Sequence, residues 1–247
     1  FIFVVTNLPW WENRGPDIGK GLLNLTMMPT VFGGEWVDEA HWFLLRELQF
    51  YLFVIIVMSL GLGKRLPQIF PIWAIILCIW NLAELPQFKV WYFSGYFALL
   101  SGGAIIYCIG QWGWNLLRTI GLMAAYICAV DTRMSKSISL GIRRNTEYSQ
   151  LTVAIIVTLL FLLLLLTLSR RVTSIQVKWA GIAGAITYPL FLIHGRLGLL
   201  TIQNLGTESN KYYLYPLVLI VLIYCAYQAL KIEKRVLNLR PLRALSR

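Results

Sequence analysis

Repeated apolar runs restrict this chain to folds whose backbone lies largely in a lipid bilayer. A membrane-spanning helix needs about 20 predominantly apolar residues, and its backbone polar groups must bond within the helix. The apolar start FIFVV is typical of the end of a further, truncated helix. We therefore predict an all-α polytopic transmembrane helical bundle with about eight spans, forming a single domain over residues 1–247. The seven complete runs cover approximately residues 42–62, 69–83, 91–109, 114–130, 151–168, 179–200 and 213–230.

The composition agrees with a membrane location and argues against other classes of basic protein. Hydrophobic residues make up 58% and charged residues 13% of the 247 residues, with a formal net charge of +11. The basic residues lie in short clusters between apolar runs, so membrane topology and anionic lipid explain them better than nucleic acid does. The four cysteines have no paired spacing, so we expect neither a disulfide framework nor a metal site.

The basic clusters predict how the chain crosses the membrane. Clusters at 64–65 and 170–178, and the basic tail 231–247, fall on one side of the predicted spans. By the positive-inside rule this side is the cytoplasm, which places the loop 6–41 outside. Segment 131–150 disagrees, because it is net basic yet falls outside in this count. Two explanations fit equally: a basic outer loop that binds an anionic polysaccharide or headgroup, or a miscounted span.

A glutamate inside the first complete run is the first candidate for chemistry. Residues 42–51 read WFLLRELQFY, which puts Glu47 about a turn and a half into a membrane helix. A carboxylate at that depth costs about 3 kcal/mol on insertion scales, so it usually faces a bundle interior or a wet cavity. The alternative is a glutamate near the interface that snorkels or pairs with Arg46.

The run 179–200 contains a second set of polar residues, after those around Glu47. They are Thr187, Tyr188, His194 and Arg196, with Pro189 to bend the helix. A histidine there can titrate near neutrality and relay a proton. The alternative is that His194 satisfies a backbone carbonyl freed by Pro189 while Arg196 snorkels outward.

The two polar sets lie at similar predicted depths. By helical rise, Glu47 lies about 8 Å below the outer start of its run, and His194 lies about 9 Å below the outer end of its own. Shared depth suggests one cavity that contains a carboxylate, an imidazole and the guanidinium groups of Arg46 and Arg196. Shared depth does not establish contact, because the sequence does not give the direction in which each side chain points around its helix axis.

Two motifs, in this order and separation, resemble those of the acyltransferase 3 family of bacterial integral membrane O-acyltransferases. The first is W-x-L-x-x-E-x-x-F-Y after a Val-Asp pair, and the second is A-I-T-Y-P-L-F-L-I-H-x-x-L-G. The basic ending RVLNLRPLRALSR is similar to the family's C-terminus. The resemblance covers nearly all of the chain.

The resemblance implies an enzyme of the bacterial cytoplasmic (inner) membrane with about ten spans in its full length and both termini cytoplasmic. Such enzymes move an acyl group, commonly acetyl, from acetyl-CoA or another acyl-CoA donor to a hydroxyl of a surface polysaccharide or related acceptor. The partners expected are therefore membrane lipids and a glycan or lipid-linked glycan. The family's catalytic histidine and its R-x-x-R coenzyme A motif would both precede Phe1.

The resemblance also implies roles for residues of the two motifs. Glu47 and His194 would support catalysis, with Glu47 orienting the base or the acceptor. Arg46, Arg196 or His194 would stabilise the developing negative charge. The chain departs from the common family pattern at Glu39, Arg46 and Gly195, which bears on acceptor identity. The residues expected to line the substrate pocket are Trp42, Arg46, Tyr51, Tyr188 and Arg196.

Two other classes of protein fit the same residues. Intramembrane Glu47 and His194 would also serve as the proton relay of a transporter or flippase-like carrier, although no paired broken helices in two repeated halves are evident. A non-catalytic membrane scaffold is the third reading, since the family's histidine is absent. No P-loop, dinucleotide-binding or serine-hydrolase pattern occurs in the sequence.

Overall fold

The computed structural model describes residues 18–38, 41–85 and 94–237, and within these ranges the chain is all-α. Short 3-10 helices at Pro29–Phe32 and Gly63–Arg65 precede the first two long helices. Each predicted apolar run overlaps a helix, and FIFVV lies outside the described residues. The α-helices are α1 Ile18–Asn24, α2 Trp42–Ser59, α3 Leu66–Leu82, α4 Phe97–Trp112, α5 Leu116–Arg144, α6 Gln150–Leu166, α7 Arg170–Thr173, α8 Ala180–Leu205 and α9 Lys211–Leu237.

Four helical segments are long and apolar enough to cross a membrane, which supports a membrane protein. They are Trp42–Ser59, Gly63–Leu82, Ala180–Leu205 and Lys211–Glu233. Two further apolar helices, α4 and α6, have 16 and 17 residues. At 1.5 Å per residue they rise about 25 Å, somewhat less than the ~30 Å hydrocarbon core. Length and composition therefore support four spans among the described residues, fewer than the eight predicted.

The basic segment predicted as a loop over 131–150 is mostly helical. Helix α5 continues past Val130 to Arg144 and ends where Asn145 adopts a left-handed conformation, with φ 48°. No proline interrupts this stretch, and polar side chains alone do not end a helix. The guanidinium of Arg133 lies 4.9 Å from the centre of the Tyr96 ring, so part of the basic charge packs on an aromatic side chain.

The chain forms two compact units, each with its own core. The first comprises the described residues up to Leu45 and those from Val177 onward, and the second comprises Arg46–Gln176. The boundary falls within the first turn of α2. The single domain predicted from sequence therefore contains two compact parts.

In the second unit, α3 packs closely against α5. A Cβ added at Gly121 would lie 2.5 Å from the Cα of Pro71, so the small residue lets the two backbones approach. Arg118 anchors the start of α5 by donating from Nη1 to the carbonyls of Trp112, at 3.0 Å, and Gly113, at 2.6 Å. The fully buried side chains of this core include Leu77, Phe97, Ile105, Cys108 and Cys128.

In the first unit, α8 and α9 pack along each other and are joined by the short connection 206–210. Their shared core contains Ile193, Leu197, Leu222 and Ala226. Val37, from the segment just before α2, is 6% exposed and packs into the same core. This apolar contact places the polar residues that follow Val37 against α8.

Candidate functional site

The side chain of Asn24, at the end of α1, fixes the segment that leads into α2. Its Nδ2 donates to the carbonyls of Lys20, at 2.8 Å, and Glu35, at 2.9 Å, and its Oδ1 accepts from the N–H of Val37 at 3.0 Å. An ion pair of 2.7 Å between Lys20 and Glu35 closes the same loop, and the Lys20 ammonium holds the pKa of the Glu35 carboxyl below its usual range. These bonds determine where the next residue, Asp38, is placed.

Asp38 is almost completely buried, with 1% of its surface exposed. Its Oδ2 accepts a hydrogen bond of 2.7 Å from the backbone N–H of Arg196, in α8. A Cβ at Gly195 would overlap the Asp38 carboxylate and lie 2.9 Å from its Cγ, so the approach depends on glycine there. A buried carboxylate needs such hydrogen bonds to offset the loss of water.

His41 contacts α8 one turn before Arg196. Its Nε2 lies 3.0 Å from the carbonyl oxygen of Leu192. A carbonyl only accepts, so this nitrogen carries the proton and Nδ1 is the ring nitrogen able to accept one. The Leu192 carbonyl and the Arg196 N–H are partners four residues apart in helical bonding. Asp38 and His41 therefore bond to the N–H and to the carbonyl of the same helical hydrogen bond, between Arg196 and Leu192.

His194 lies in the same turn of α8 and is exposed. Its Nδ1 lies 2.9 Å from the carbonyl oxygen of Phe191 and 3.2 Å from that of Leu190, which assigns the proton to Nδ1 and leaves Nε2 able to accept. The carbonyl that Pro189 would leave without its helical donor is that of Ala185, four residues earlier. The carbonyls that His194 engages are therefore different ones.

The structure distributes the sequence-predicted site residues over the two units. The first unit contains Trp42, Tyr188, His194 and Arg196, whereas the second contains Arg46, Glu47 and Tyr51. The hydrogen bond that the Arg196 N–H donates to Asp38 places Arg196 beside the loop, and Tyr188 lies one turn before Leu192. A cavity shared by Glu47 and His194 stays a prediction.

The predicted residues of the second unit lie on α2. Glu47 is half-buried, and among the described residues its carboxylate has no hydrogen bond or ion pair. Arg46 donates from Nη1 to Oε1 of Gln49 at 3.0 Å instead of pairing with Glu47. Tyr51 is 57% exposed. The carboxylate is therefore available to a partner outside these contacts.

The first unit contains a cavity of about 680 Å³. Three parts of this unit line it: the segment from α1 to the start of α2, the middle of α8 and the C-terminal half of α9. His41 and Tyr188 belong to its wall, so the loop contact with α8 borders an open space. In the described part of the chain, no group of three or more His, Cys, Asp or Glu residues could hold a metal ion.

Sequence reasoning did not single out Asp38 or His41 as site residues. Asp38 entered only as part of the Val-Asp pair ahead of the first motif, and His41 was counted as the end of a loop. The available signal was a pair of titratable residues, D-x-x-H, placed directly before a long apolar run. Glu39, one of the departures from the family pattern, lies outside the described residues.

Comparison of the chain with protein-family models, with curated proteins and with solved structures found no match.

Proposed function

We propose that this chain is a membrane O-acyltransferase. It would move an acyl group, normally acetyl, from a coenzyme A thioester to a hydroxyl of a cell-surface polysaccharide or a related extracytoplasmic acceptor. One observation carries the proposal. The two stretches that carry the motif resemblance are hydrogen-bonded to each other, through Asp38 to Arg196 and through His41 to Leu192.

The proposal extends to how the protein lies in the membrane. Helices α4 and α6 and the apolar first half of α5 are counted with the four longer apolar segments as spans. Together with the truncated first run, this gives about eight spans here and ten in the complete protein, with local bilayer thinning offsetting the short length of α4 and α6. The basic residues that follow α9 in the sequence support a cytoplasmic C-terminus in a bacterial inner membrane. Donor thioester then approaches from the cytoplasm and the acceptor from outside.

The reaction needs one proton to move and one charge to be steadied. The acceptor hydroxyl oxygen attacks the thioester carbonyl carbon, a C–O bond forms, and the C–S bond breaks as the thiolate leaves and is protonated. His194, whose Nε2 is left able to accept because Nδ1 is bonded to the Phe191 carbonyl, supports removal of the hydroxyl proton. Glu47 orients the base or the acceptor, and the guanidinium of Arg46 or Arg196 stabilises the oxyanion.

Release of coenzyme A thiol by the purified full-length protein tests this proposal. With acetyl-CoA and an isolated surface glycan, we expect glycan-dependent thiol release that falls at least about tenfold in Glu47→Gln and His194→Ala, as is typical when an acid–base or orienting group is lost. Glu208→Gln is the matched control, because Glu208 is an exposed glutamate between α8 and α9 whose side chain pairs with Lys211 at 2.6 Å. Wild-type rates in both site variants would overturn the assignment.

The second candidate is a proton-coupled transporter or flippase-like carrier. It is favoured by the two imidazoles on or beside membrane-spanning helices, His41 and His194, each with one ring nitrogen engaged by a carbonyl and the other able to accept a proton. Substrate-dependent release of coenzyme A thiol separates the two readings, because a carrier moves its cargo without breaking a thioester.

A further inference from the structure

A second cavity, of about 450 Å³, lies within the second unit, between α4 and the chain that leads from the end of α6 into α7. A Cβ at Gly102 would lie 3.0 Å from the ring of Phe161, and one at Gly110 would lie 3.4 Å from Cδ2 of Leu168. The two contacts have nearly the same offset in sequence, so α4 and α6 run side by side in the same direction. The α4 wall of the cavity extends over 103–111, a rise of about 12 Å.

The two ends of this second cavity differ in polarity. One end is apolar and is formed by the earlier residues of both walls, which are Gly103, Ile106 and Leu164. The other end lies where both helices finish and is polar, formed by Gln111, Thr167, Arg170 and Thr173. An amphiphile fits this division, with its polar head where the helices end and its hydrocarbon along them.

The polar end offers donors for an anion and acceptors for hydroxyls. Among the described residues, neither the amide of Gln111 nor the guanidinium of Arg170 has a hydrogen bond or an ion pair. The hydroxyl of Thr167 donates to the Leu164 carbonyl at 2.6 Å, and that of Thr173 donates to the Arg170 carbonyl at 3.2 Å, so both oxygens are left to accept. A head that carries one phosphate and its own hydroxyls matches this set.

The charge at the polar end favours an anionic head over a zwitterionic one. Arg170 is the only charged side chain among the described residues of the lining. Each helix end carries about half a negative charge, but Arg118 caps α4 by donating to the Trp112 and Gly113 carbonyls, and Arg170 and Arg171 follow α6. The balance is therefore positive, and the ammonium of a zwitterionic head finds no carboxylate in this lining.

The apolar end of the second cavity is open toward the side of the helices. Leu164 is 44% exposed, Leu160 and Leu163 on the same helix are also exposed, and a Cβ at Gly103 meets nothing within 4 Å. With α6 in the membrane, this surface contacts lipid chains. A ligand that enters here comes from the bilayer and not from water.

We propose that the second cavity binds one phosphatidylglycerol molecule of the bilayer. Its phosphate is held by Arg170 and Gln111, its head hydroxyls bond to the threonine oxygens, and an acyl chain lies along α4 toward Gly103. Arg170 belongs to a basic cluster predicted to face the cytoplasm, where anionic headgroups bind basic pockets between helices. The site rests on the proposed position of α4 and α6 as spans and not on acyl transfer. Lipid binding is measured without turnover, so the two failures are distinguishable.

Photolabelling of the purified full-length protein in phosphatidylcholine nanodiscs tests this site. The probes are a phosphatidylglycerol and a phosphatidylethanolamine with the same chains, each with a diazirine on one chain and each added as a small fraction of the lipid. We expect the glycerol lipid to label segments 103–111 and 164–173 about fivefold more than the ethanolamine lipid does. This ratio corresponds to about 1 kcal/mol, the usual contribution of one basic residue near a membrane surface.

Two pairs of variants connect the labelling with the cavity. Arg170→Gln is expected to lower phosphatidylglycerol labelling about fivefold. Arg65→Gln is its control, because Arg65 is exposed in the other basic cluster predicted to be cytoplasmic and makes no side-chain cap bond. Gly103→Phe puts a ring into the apolar end and should reduce labelling by a similar factor, whereas Leu163→Phe, outside the lining, should not. Arg170 is exposed, so its variant keeps the test valid if Gly103→Phe does not fold.

Each of three results contradicts the proposal. The first is equal labelling of the two segments by both probes, and the second is wild-type labelling in Arg170→Gln. The third comes from soluble competitors, glycerol phosphate and coenzyme A, which are expected to leave the labelling unchanged. Displacement of the lipid by either competitor would assign the cavity to a phosphate ligand from water.

Discussion

The carboxylate of Asp38 and the backbone N–H of Arg196 form a 2.7 Å hydrogen bond between residues 158 positions apart. Three residues after Asp38, His41 bonds to the carbonyl of Leu192, which is the helical partner of that same N–H. The segment before α2 is therefore attached to α8 at one turn, and His194 lies in this turn. The segment that precedes the first motif thus contacts the second motif, whereas a cavity shared by Glu47 and His194 stays a prediction.

Gly195 should be intolerant of any larger residue. In Gly195→Ala the added Cβ overlaps the Asp38 carboxylate, so we expect a loss of about 1–3 kcal/mol in the free energy of unfolding. Thermal unfolding of the detergent-purified full-length protein measures it. Gly184→Ala is the control, since it lies in the same helix with nothing within 4 Å of a new Cβ. It should stabilise slightly, by up to about 1 kcal/mol, and equal effects of the two variants would contradict the contact.

Two substitutions separate what the negative charge of Asp38 contributes to stability from what its hydrogen-bond acceptor contributes. Asp38→Ala removes the carboxylate that accepts from the Arg196 N–H, and with it a hydrogen bond to a charged group, so we expect a destabilisation of about 1–3 kcal/mol. Asp38→Asn keeps an oxygen that can accept from Arg196 and is expected to cost less. Chemical denaturation of both variants gives the comparison. If Asp38→Ala unfolds at the wild-type midpoint, the hydrogen bond does not contribute to the fold.

Gly121 should be essential for the packing of the second unit. A methyl group there would meet the backbone of Pro71 at 2.5 Å, which neither helix can avoid without moving. We expect Gly121→Ala to cost about 1–3 kcal/mol, by the usual penalty of overpacking. Gly103→Ala, in α4, has nothing within 4 Å and should be neutral or slightly stabilising. Unchanged thermal stability in Gly121→Ala would show that α3 and α5 do not approach this closely.

The proposed orientation can be tested with cysteines at the two ends of α9. We expect Ser209→Cys, in the connection before α9, to react with a membrane-impermeant maleimide in intact cells, and Arg235→Cys to react only after permeabilisation. Both positions are exposed. Cys78, Cys108 and Cys128 are buried, and the partly exposed Cys225 is replaced by serine in the protein used for labelling, which keeps the background low. The reverse pattern would invert the orientation.

The cavity of the first unit adds a further condition on this topology. Asn24, predicted to lie outside, and Glu233, predicted to lie inside, line the same space, which extends about 14 Å along α9. The hydrocarbon core is about 30 Å thick. If both predicted sides hold, the segment that contains α1 reaches into the bilayer toward the C-terminal half of α9. Reaction of Ile18→Cys, an exposed position on α1, with the same maleimide measures that depth.

The helices could be predicted from the sequence because their signals are local. Apolar run length located every long helix, and the all-α fold was confirmed for the described residues. The predicted end of this helix, at Val130, was wrong. The polar residues after Val130 mark where the apolar run stops, whereas the left-handed Asn145 marks where the helix stops. Caps and breakers, and not hydropathy, fix a helix end.

The contact between Asp38 and α8 could not be predicted, because it depends on which helix faces the loop. Sequence gives the depth of a residue in a membrane helix but no direction around the axis. Gly195 carried the only local hint, as a small residue beside two polar ones in an apolar run. The depth estimate was also affected by the length of α8, which extends past Leu200 to Leu205 and places His194 about 17 Å from its end.

Acyl transfer in cells tests the central claim most directly. Cells that carry the full-length gene, a deletion, Glu47→Gln or the control Glu208→Gln are supplied with radiolabelled acetyl groups, and the label on their surface glycans is counted. We predict labelling that requires the gene, is lost in Glu47→Gln and is retained in Glu208→Gln. Equal labelling of the glycans in the deletion strain and in cells with the gene would contradict the acyltransferase account.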